Sequence, residues 1–426
     1  MKKKNVLALG IGQSNFLNQL YGDLIRKDDS ITVDIDGFFD VSSQGGQDNS
    51  IYRKYLDFKI TKIGTVQRYK SLFAFMRTAF FWQILYFELS QQKTLGEIKK
   101  IMLSYSWSKH IVENVILKAD YDIFHFHYCN PENLKFVHFF PKESKIICTF
   151  WGSDLMRNPG VSNVFYVSKA LSKADAITIQ SRELAEMLYC KFGRELAEKT
   201  NIVQFTIHTG IYEKMDAFKG DDARIESFKQ LNGIPPNRIT ISVGHNAFEA
   251  NNHIAILESL VKLPSEAKNK ISILLPLGYG RDGSYLQKLQ SKVSQISDFP
   301  IILLDQYFGP DDTALLRLVS DIMIQMPITD ALSGAMTEVL YAGNHVIAGS
   351  WLPYGLLKRN GIVFEQAESF DEIPELVLQY LSKRDTFLRM NQSNEAMIKK
   401  SLFPEKTTAD WLRVFNRLFD QNKTAE

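Results

Sequence analysis

The sequence predicts an α/β protein built as two doubly wound parallel sheets, and three observations predict it. Short apolar runs alternate with longer amphipathic stretches almost throughout, the pattern of parallel strands joined by covering helices. The apolar runs fall into two series of about six each. The 426 residues also exceed the size at which one hydrophobic core stops growing.

Strand-like runs of the first series are residues 6–9, 31–35, 123–126, 145–150, 176–179 and 202–205. Those of the second are 239–243, 271–275, 301–304, 322–326, 345–348 and 362–364. Between them the helical periodicity is clearest over 162–171, 183–192, 254–263, 285–294, 311–318 and 335–341. Lys2, Lys3 and Lys4 precede the apolar run 6–11, but Gly12, Gln13, Ser14 and Asn15 follow where a signal peptide needs a small-residue cleavage site, so a buried first strand is expected. The most apolar window, 72–89, is interrupted by Arg77, Gln83 and Glu88 and falls short of a spanning helix. The boundary is expected after Thr209-Gly210, where the polar stretch 213–222 begins. This gives an N-terminal domain 1–212, a C-terminal domain 213–404, and a last helix in 405–426 that returns to the first domain.

Hydrophobic residues make up 45% and charged residues 23% of the chain, which excludes wholesale disorder. With 50 basic against 48 acidic side chains, nothing global indicates a nucleic-acid binder. Three cysteines, Cys129, Cys148 and Cys190, lack metal-ligand spacing and fit a reducing cytoplasm. The charge is unevenly placed: residues 1–210 hold 27 basic and 21 acidic groups. The excess concentrates in 50–112, where Arg53, Lys54, Lys59, Lys62, Arg68, Lys70, Arg77, Lys93, Lys99, Lys100 and Lys109 face only Asp57, Glu88 and Glu97. Aromatics interleave with these cations. Such a stretch fits an anionic membrane surface; the alternative is an insertion packing its aromatics on its own core.

Ligands of open parallel sheets sit at the carboxyl ends of strands, so the residues just after each strand are the candidates. Gly10-Ile11-Gly12-Gln13-Ser14-Asn15 follows the first; its glycines serve either a plain turn or close approach to an acceptor, with Gly12 and Gln13 in contact. In Asp122-Ile123-Phe124-His125-Phe126-His127, alternation places both histidines on one face with His127 nearer the strand end, as a structural imidazole or a partner to a sugar hydroxyl. Trp151-Gly152-Ser153-Asp154 ends another strand; Trp151 suits an acceptor, and Asp154 is either a proton acceptor or a cap.

In the second half, Gly244 and Asn246 follow a strand, and Arg281 lies in the loop after the next, as a diphosphate ligand or a solvated arginine. The strongest local signal is Asp330-Ala331-Leu332-Ser333-Gly334-Ala335-Met336-Thr337-Glu338. Ser333 and Gly334 open a helix whose free N–H groups suit an anion. Glu338, one turn further, suits a ribose, and Asp330 suits a hexose beside the phosphates.

At these residues the chain resembles glycosyltransferases of the GT-B fold, two Rossmann-like domains with the active site between them. Asp330 and Glu338, eight positions apart before Gly343 and Val346-Ile347-Ala348, are similar to the paired acidic donor motif of glycosyltransferase family 4, where both members are glutamate. Asp122 to His127 is similar to that family's strand ending in a histidine near the donor sugar. Residues 243–257 and 275–279, with Trp151-Gly152-Ser153-Asp154-Leu155, also resemble the bacterial 4-acetamido-4,6-dideoxygalactose transferases. The first relationship implies retention of anomeric configuration and the second inversion with Asp154 as base. The resemblance implies catalytic roles for His127, Asp154 and Asp330, and donor contacts from Gly244, Asn246, Arg281, Ser333, Gly334 and Glu338. It implies no metal and no cofactor beyond the nucleotide-sugar donor, a glycan acceptor (lipid-linked), and a cytoplasmic, membrane-peripheral role in bacterial surface polysaccharide synthesis. A nucleotide-sugar 2-epimerase and a non-catalytic GT-B partner subunit are the alternatives.

Overall fold

Val6, Leu7, Ala8 and Leu9 carry no polar side chain, and in the computed structural model they are buried within the strand β1 (Lys4–Leu9). The structure describes residues 3–37, 51–58 and 63–423. The chain divides into two compact units: one holds the residues up to 180, 184–206 and those from 407 on, and the other holds 181–183 and 207–406.

In the first unit β1 is joined by β2 (Ile31–Asp36), β3 (Tyr52–Leu56), β4 (Ile123–His127), β5 (Lys145–Thr149), β6 (Ala176–Ile179) and β7 (Thr200–Ile202). They form a seven-stranded sheet of order β3-β2-β1-β4-β5-β6-β7. Every pairing is parallel. Helix α1 (Asn15–Lys27) starts at Ser14, whose Oγ accepts the Leu17 N–H, and buries Leu17, Leu20, Tyr21 and Leu24 against the sheet. Helices α2 (Thr65–Met76), α3 (Ala79–Ser90) and α4 (Leu95–Asn114) follow β3 and enclose a separate cluster around Phe75, Phe81, Ile84, Ile98, Met102 and Tyr105.

The second unit repeats the plan with β8 (Ile239–Val243), β9 (Ile271–Pro276), β10 (Ile301–Leu304), β11 (Ile322–Gln325), β12 (His345–Gly349) and β13 (Glu365–Ala367), in the order β10-β9-β8-β11-β12-β13, again all parallel. Helix α5 (Pro310–Val319) precedes β11 and α6 (Gly334–Tyr341) follows it. The last helix, α7 (Pro404–Lys423), puts Trp411, Phe415, Leu418 and Phe419 into the core of the first unit, and the Trp411 indole donates to the Gln204 carbonyl at 2.8 Å. Both sheets reverse direction beside their first strand, so the β1/β4 and β8/β11 carboxyl ends are topological switch points, where ligands of such sheets bind.

The structure differs from the sequence reading in four places. β3 lies inside the stretch read as a basic insertion. Arg53 there is no free surface charge, because its Nε and Nη2 donate to the two oxygens of buried Asp34 at 2.9 and 2.8 Å. Of that stretch, Lys59 and Lys62 lie outside the described residues, as does Lys2. Of the run 202–205 only Ile202 lies in the strand, which is Thr200–Ile202, and the Val203 N–H donates to the Ile179 carbonyl at 2.9 Å just beyond it. The run 362–364 is not a strand, since the Asn394 side chain bonds both the N–H and the C=O of Val363 (2.7 and 2.9 Å) and β13 begins two residues later. Finally, the polar stretch from Glu213 continues the helix Thr209–Phe218, whose Tyr212, Met215 and Phe218 are buried in the second unit, and the units divide between Thr206 and Ile207.

Candidate functional site

The carboxyl ends of β8 and β11 gather most of the second-unit candidates. Gly244 directly follows β8 with φ +64, and a Cβ there would lie 3.0 Å from His253 Nε2 and 3.1 Å from Asn251 Cβ, so this turn requires glycine. His245 comes next, its Nδ1 3.4 Å from the side-chain oxygen of Gln325, the fully buried last residue of β11. Burial is the main cause holding the His245 imidazole below its usual pKa and favours the neutral ring, while the nearby Asp330 carboxylate pulls the other way. Asn246 is buried and accepts from the Phe248 N–H (2.9 Å) and the Asn251 amide (2.7 Å).

Asp330 is held by three donors. Tyr354 OH (2.7 Å) and the Gln325 amide (3.3 Å) bond Oδ2, and the Ala331 N–H (2.8 Å) bonds Oδ1. Gln325 thus bridges His245 and Asp330 across the end of β11. Ser333 caps α6, its Oγ accepting from the Met336 N–H at 3.1 Å, and Gly334 is exposed at the first helical position. Glu338 lies one turn further along, with Oε2 accepting from Arg317 Nε at 2.7 Å. Its Oε1 lies 4.0 Å from where a Cβ on Gly334 would stand, so it faces the helix start. The pair is nearly closed to solvent, with side chains 9% (Arg317) and 13% (Glu338) exposed. Arg281, in the loop after β9, is exposed and donates from Nε to the Leu277 carbonyl at 3.0 Å. Tyr279 joins that loop to the site through its OH, 3.4 Å from the Asn246 amide.

The structure therefore brings Gly244, Asn246, Asp330, Ser333, Gly334 and Glu338 to the β8/β11 end, with Arg281 on the neighbouring loop. Sequence reasoning missed Arg317, Gln325, Tyr279 and Tyr354. Arg317 had a signal: it is the one charge in the apolar run Ala314-Leu315-Leu316-Arg317-Leu318-Val319, where an unpaired guanidinium would be costly to bury.

The first-unit candidates are more enclosed. Gly10 has φ +119, and a Cβ there would lie 2.1 Å from the His127 carbonyl oxygen, while one on Gly12 (φ +70) would lie 2.6 Å from the Gly37 carbonyl. Gln13 is buried. His125 and His127 share one face as expected, but both are fully buried. Tyr21 OH lies 2.9 Å from His125 Nδ1 and 2.8 Å from His127 Nε2, and His125 Nε2 is 2.6 Å from Thr149 Oγ1. Burial pushes the His127 pKa down to about 3, so this ring is neutral at pH 7. His127 Nδ1 and Trp151 Nε1 are buried without a partner among the described residues. Trp151 packs on Phe205 and Phe16, with ring centroids at 4.6 and 5.7 Å, and stands edge-on to His127.

Of the two readings of Asp154, its contacts are those of a cap. Its carboxylate is fully buried and accepts four backbone N–H groups, from Cys129 (2.7 Å), Trp151 (2.9 Å), Gly152 (2.9 Å) and Leu155 (3.0 Å). Burial pushes its pKa up to about 6 while those amides pull it down. A carboxylate so engaged fastens two loops together, the capping alternative. Among the described residues no three His, Cys, Asp or Glu side chains converge as a metal site.

No protein-family model and no curated protein sequence matches the chain. Its architecture is that of solved structures. A glycosyltransferase from Rickettsia africae aligns over 98% of this chain and 99% of its own at 13% identity and TM-score 0.68. HepE of Anabaena in complex with UDP aligns over 97% and 100% at 11% and 0.67. Sucrose-phosphate synthase of Thermosynechococcus elongatus aligns over 98% and 100% at 10% and 0.65.

The fold is GT-B. At such identities the likeness shows that fold and no family within it. Each Rossmann-like unit of this GT-B chain has its switch point where the candidate residues gather, β1/β4 in the first and β8/β11 in the second.

Proposed function

We propose that the chain is a metal-independent glycosyltransferase that moves a sugar from a nucleoside diphosphate donor to a glycan acceptor. The observation that supports this best is the β8/β11 end: a glycine turn, a capped helix start, and a carboxylate–guanidinium pair one turn into that helix. Gly334 and its neighbouring amides, with the positive end of α6, suit the diphosphate. Arg281 closes over it from the next loop. Glu338 keeps Oε1 for a ribose hydroxyl while Arg317 takes Oε2, and Asp330, oriented by Tyr354 and Gln325, accepts a hexose hydroxyl. Leaving-group charge is then met by donors already in place, the main source of catalytic stabilisation in preorganised sites. HepE, which shares the fold, is solved with UDP and with UDP-glucose, and this supports a uridine nucleotide as the first donor to try.

The first unit takes the acceptor near Gly12, Gln13 and Trp151, where His127 Nδ1 and Trp151 Nε1 are polar atoms without a partner among the described residues. The acceptor is lipid-linked, in cytoplasmic assembly of bacterial surface polysaccharide; three free cysteines, two of them buried, accord with a reducing compartment. Calorimetry with UDP, GDP and dTDP and their sugar conjugates tests the donor reading. One conjugate should bind, and Glu338→Ala should weaken it about tenfold, equivalent to about 1.4 kcal/mol. Failure of the intact chain to take up any of these compounds would refute it.

A further inference from the structure

The helices α2 and α3 each bury one face and leave the opposite face apolar. Phe75 and Ser71 of α2, and Phe81 and Ile84 of α3, turn inward. On the other side of α2, Val66, Tyr69 and Phe73 recur at helical spacing and stand in solvent, Phe73 62% exposed. On α3 the outward stripe is Trp82, Tyr86 and Leu89, with Tyr86 79% exposed. Lys70 is exposed beside the α2 stripe, Arg77 is exposed at the end of that helix and Arg68 on its first turn, and none is in an ion pair among the described residues. From Thr65 to Gly96 the only acidic residue is Glu88, which is buried and held by Lys93 (2.6 Å) and Tyr166.

We infer that α2 and α3 form a docking surface for an anionic lipid bilayer, with Tyr69, Phe73, Trp82 and Tyr86 entering the headgroup boundary and Arg68, Lys70 and Arg77 meeting lipid phosphates. A stripe of exposed aromatics is unusual on a surface facing only water. Tyr and Trp are the residues whose rings settle at a membrane interface. The charge selects the occupant. A second copy of this chain on the same face would set cations against cations, whereas an anionic leaflet complements every exposed charge from Thr65 to Gly96. No described helix is long and apolar enough to cross a membrane, so the contact lies in the interface plane. The inference deepens the reading of a lipid-linked acceptor, but it rests on this surface and not on the donor site.

The test is flotation of the full chain with phosphatidylcholine vesicles, with and without phosphatidylglycerol. Binding should appear only with the anionic lipid and fall steeply between about 0.05 M and about 0.5 M salt, since screening shortens to a few ångströms there. Neutralising Arg68, Lys70 and Arg77 to Gln should weaken it about tenfold or more. Phe73→Ser with Tyr86→Ser should weaken it while keeping the salt dependence. All five side chains are exposed, and unchanged thermal unfolding confirms that each variant is folded. Nucleotide binding, measured alongside, should be unaffected in every variant, so failure here and failure of the donor reading are separable. Absence of binding to anionic vesicles, equal binding to neutral ones, or a dimer in solution that Phe73→Ser with Tyr86→Ser dissolves would each overturn the inference.

Discussion

Arg317 and Glu338 form an ion pair whose value depends on its burial. At 9% and 13% side-chain exposure, removing either partner leaves a charge largely stripped of water. Arg317→Met is expected to cost about 3–5 kcal/mol of second-unit stability in urea denaturation. In calorimetry it should also weaken nucleotide binding about tenfold, because Glu338 loses the group that aims it. Arg317→Lys should recover part of the affinity; if affinity in folded Arg317→Met equals that of the parent, the pair is structural alone. Asp154 belongs to the opposite class. Asn at this position would turn an amide N–H toward backbone donors, at about 1–3 kcal/mol for each group left unsatisfied. Asp154→Asn should therefore lower the unfolding midpoint while nucleotide affinity stays at the parental value; an unshifted midpoint would count against the loop-fastening role.

At the scale of elements, the last helix shows how distant segments complete a core. Trp411, Phe415, Leu418 and Phe419 of α7 sit among Val6, Ala8, Leu20, Tyr21 and Ile123. Trp411→Ala removes a fully buried indole and its bond to Gln204, and should cost about 3–5 kcal/mol in the transition of the first unit. The second-unit transition should hold its midpoint; loss of both together would show that the two units unfold as one.

Across the whole molecule the histidines make stability pH-dependent. Burial lowers His127 and His138 to about 3 and His253 and His345 to about 4, and holds His125 well below the ordinary value. The unfolded chain takes up protons below about pH 6.5 that these folded imidazoles refuse. Their contribution is thus complete above that pH and is lost as pH falls toward 4, at up to about 1.4 kcal/mol per pH unit for each ring. Asp154, raised to about 6, and Glu365, also raised by burial, work in the opposite direction but are outnumbered by the histidines. Urea midpoints should be markedly lower at about pH 5 than at about pH 7.5. Equal midpoints would mean that the rings ionise freely within the fold.

The order of strands and helices was legible because buried parallel strands must be apolar runs and their covering helices must be amphipathic, constraints that act within a few residues of chain. The same holds for Gly244, Ser333 and Gly334, whose roles are backbone conformation and helix start. Strand β3 was not legible, since an edge strand with Arg53 and Lys54 exposed lacks the apolar signature. Nor could the chain show that Asp154 spends its carboxylate on four amides, that Glu338 is shared with Arg317 from another helix, or that Tyr21 closes over both histidines. Sequence by itself determined the elements, the α/β class and the turn chemistry at the strand ends. Tertiary structure alone decided which polar groups are consumed inside the protein and which remain for a ligand, because hydrogen-bond partners are chosen by proximity in space and not by spacing along the chain.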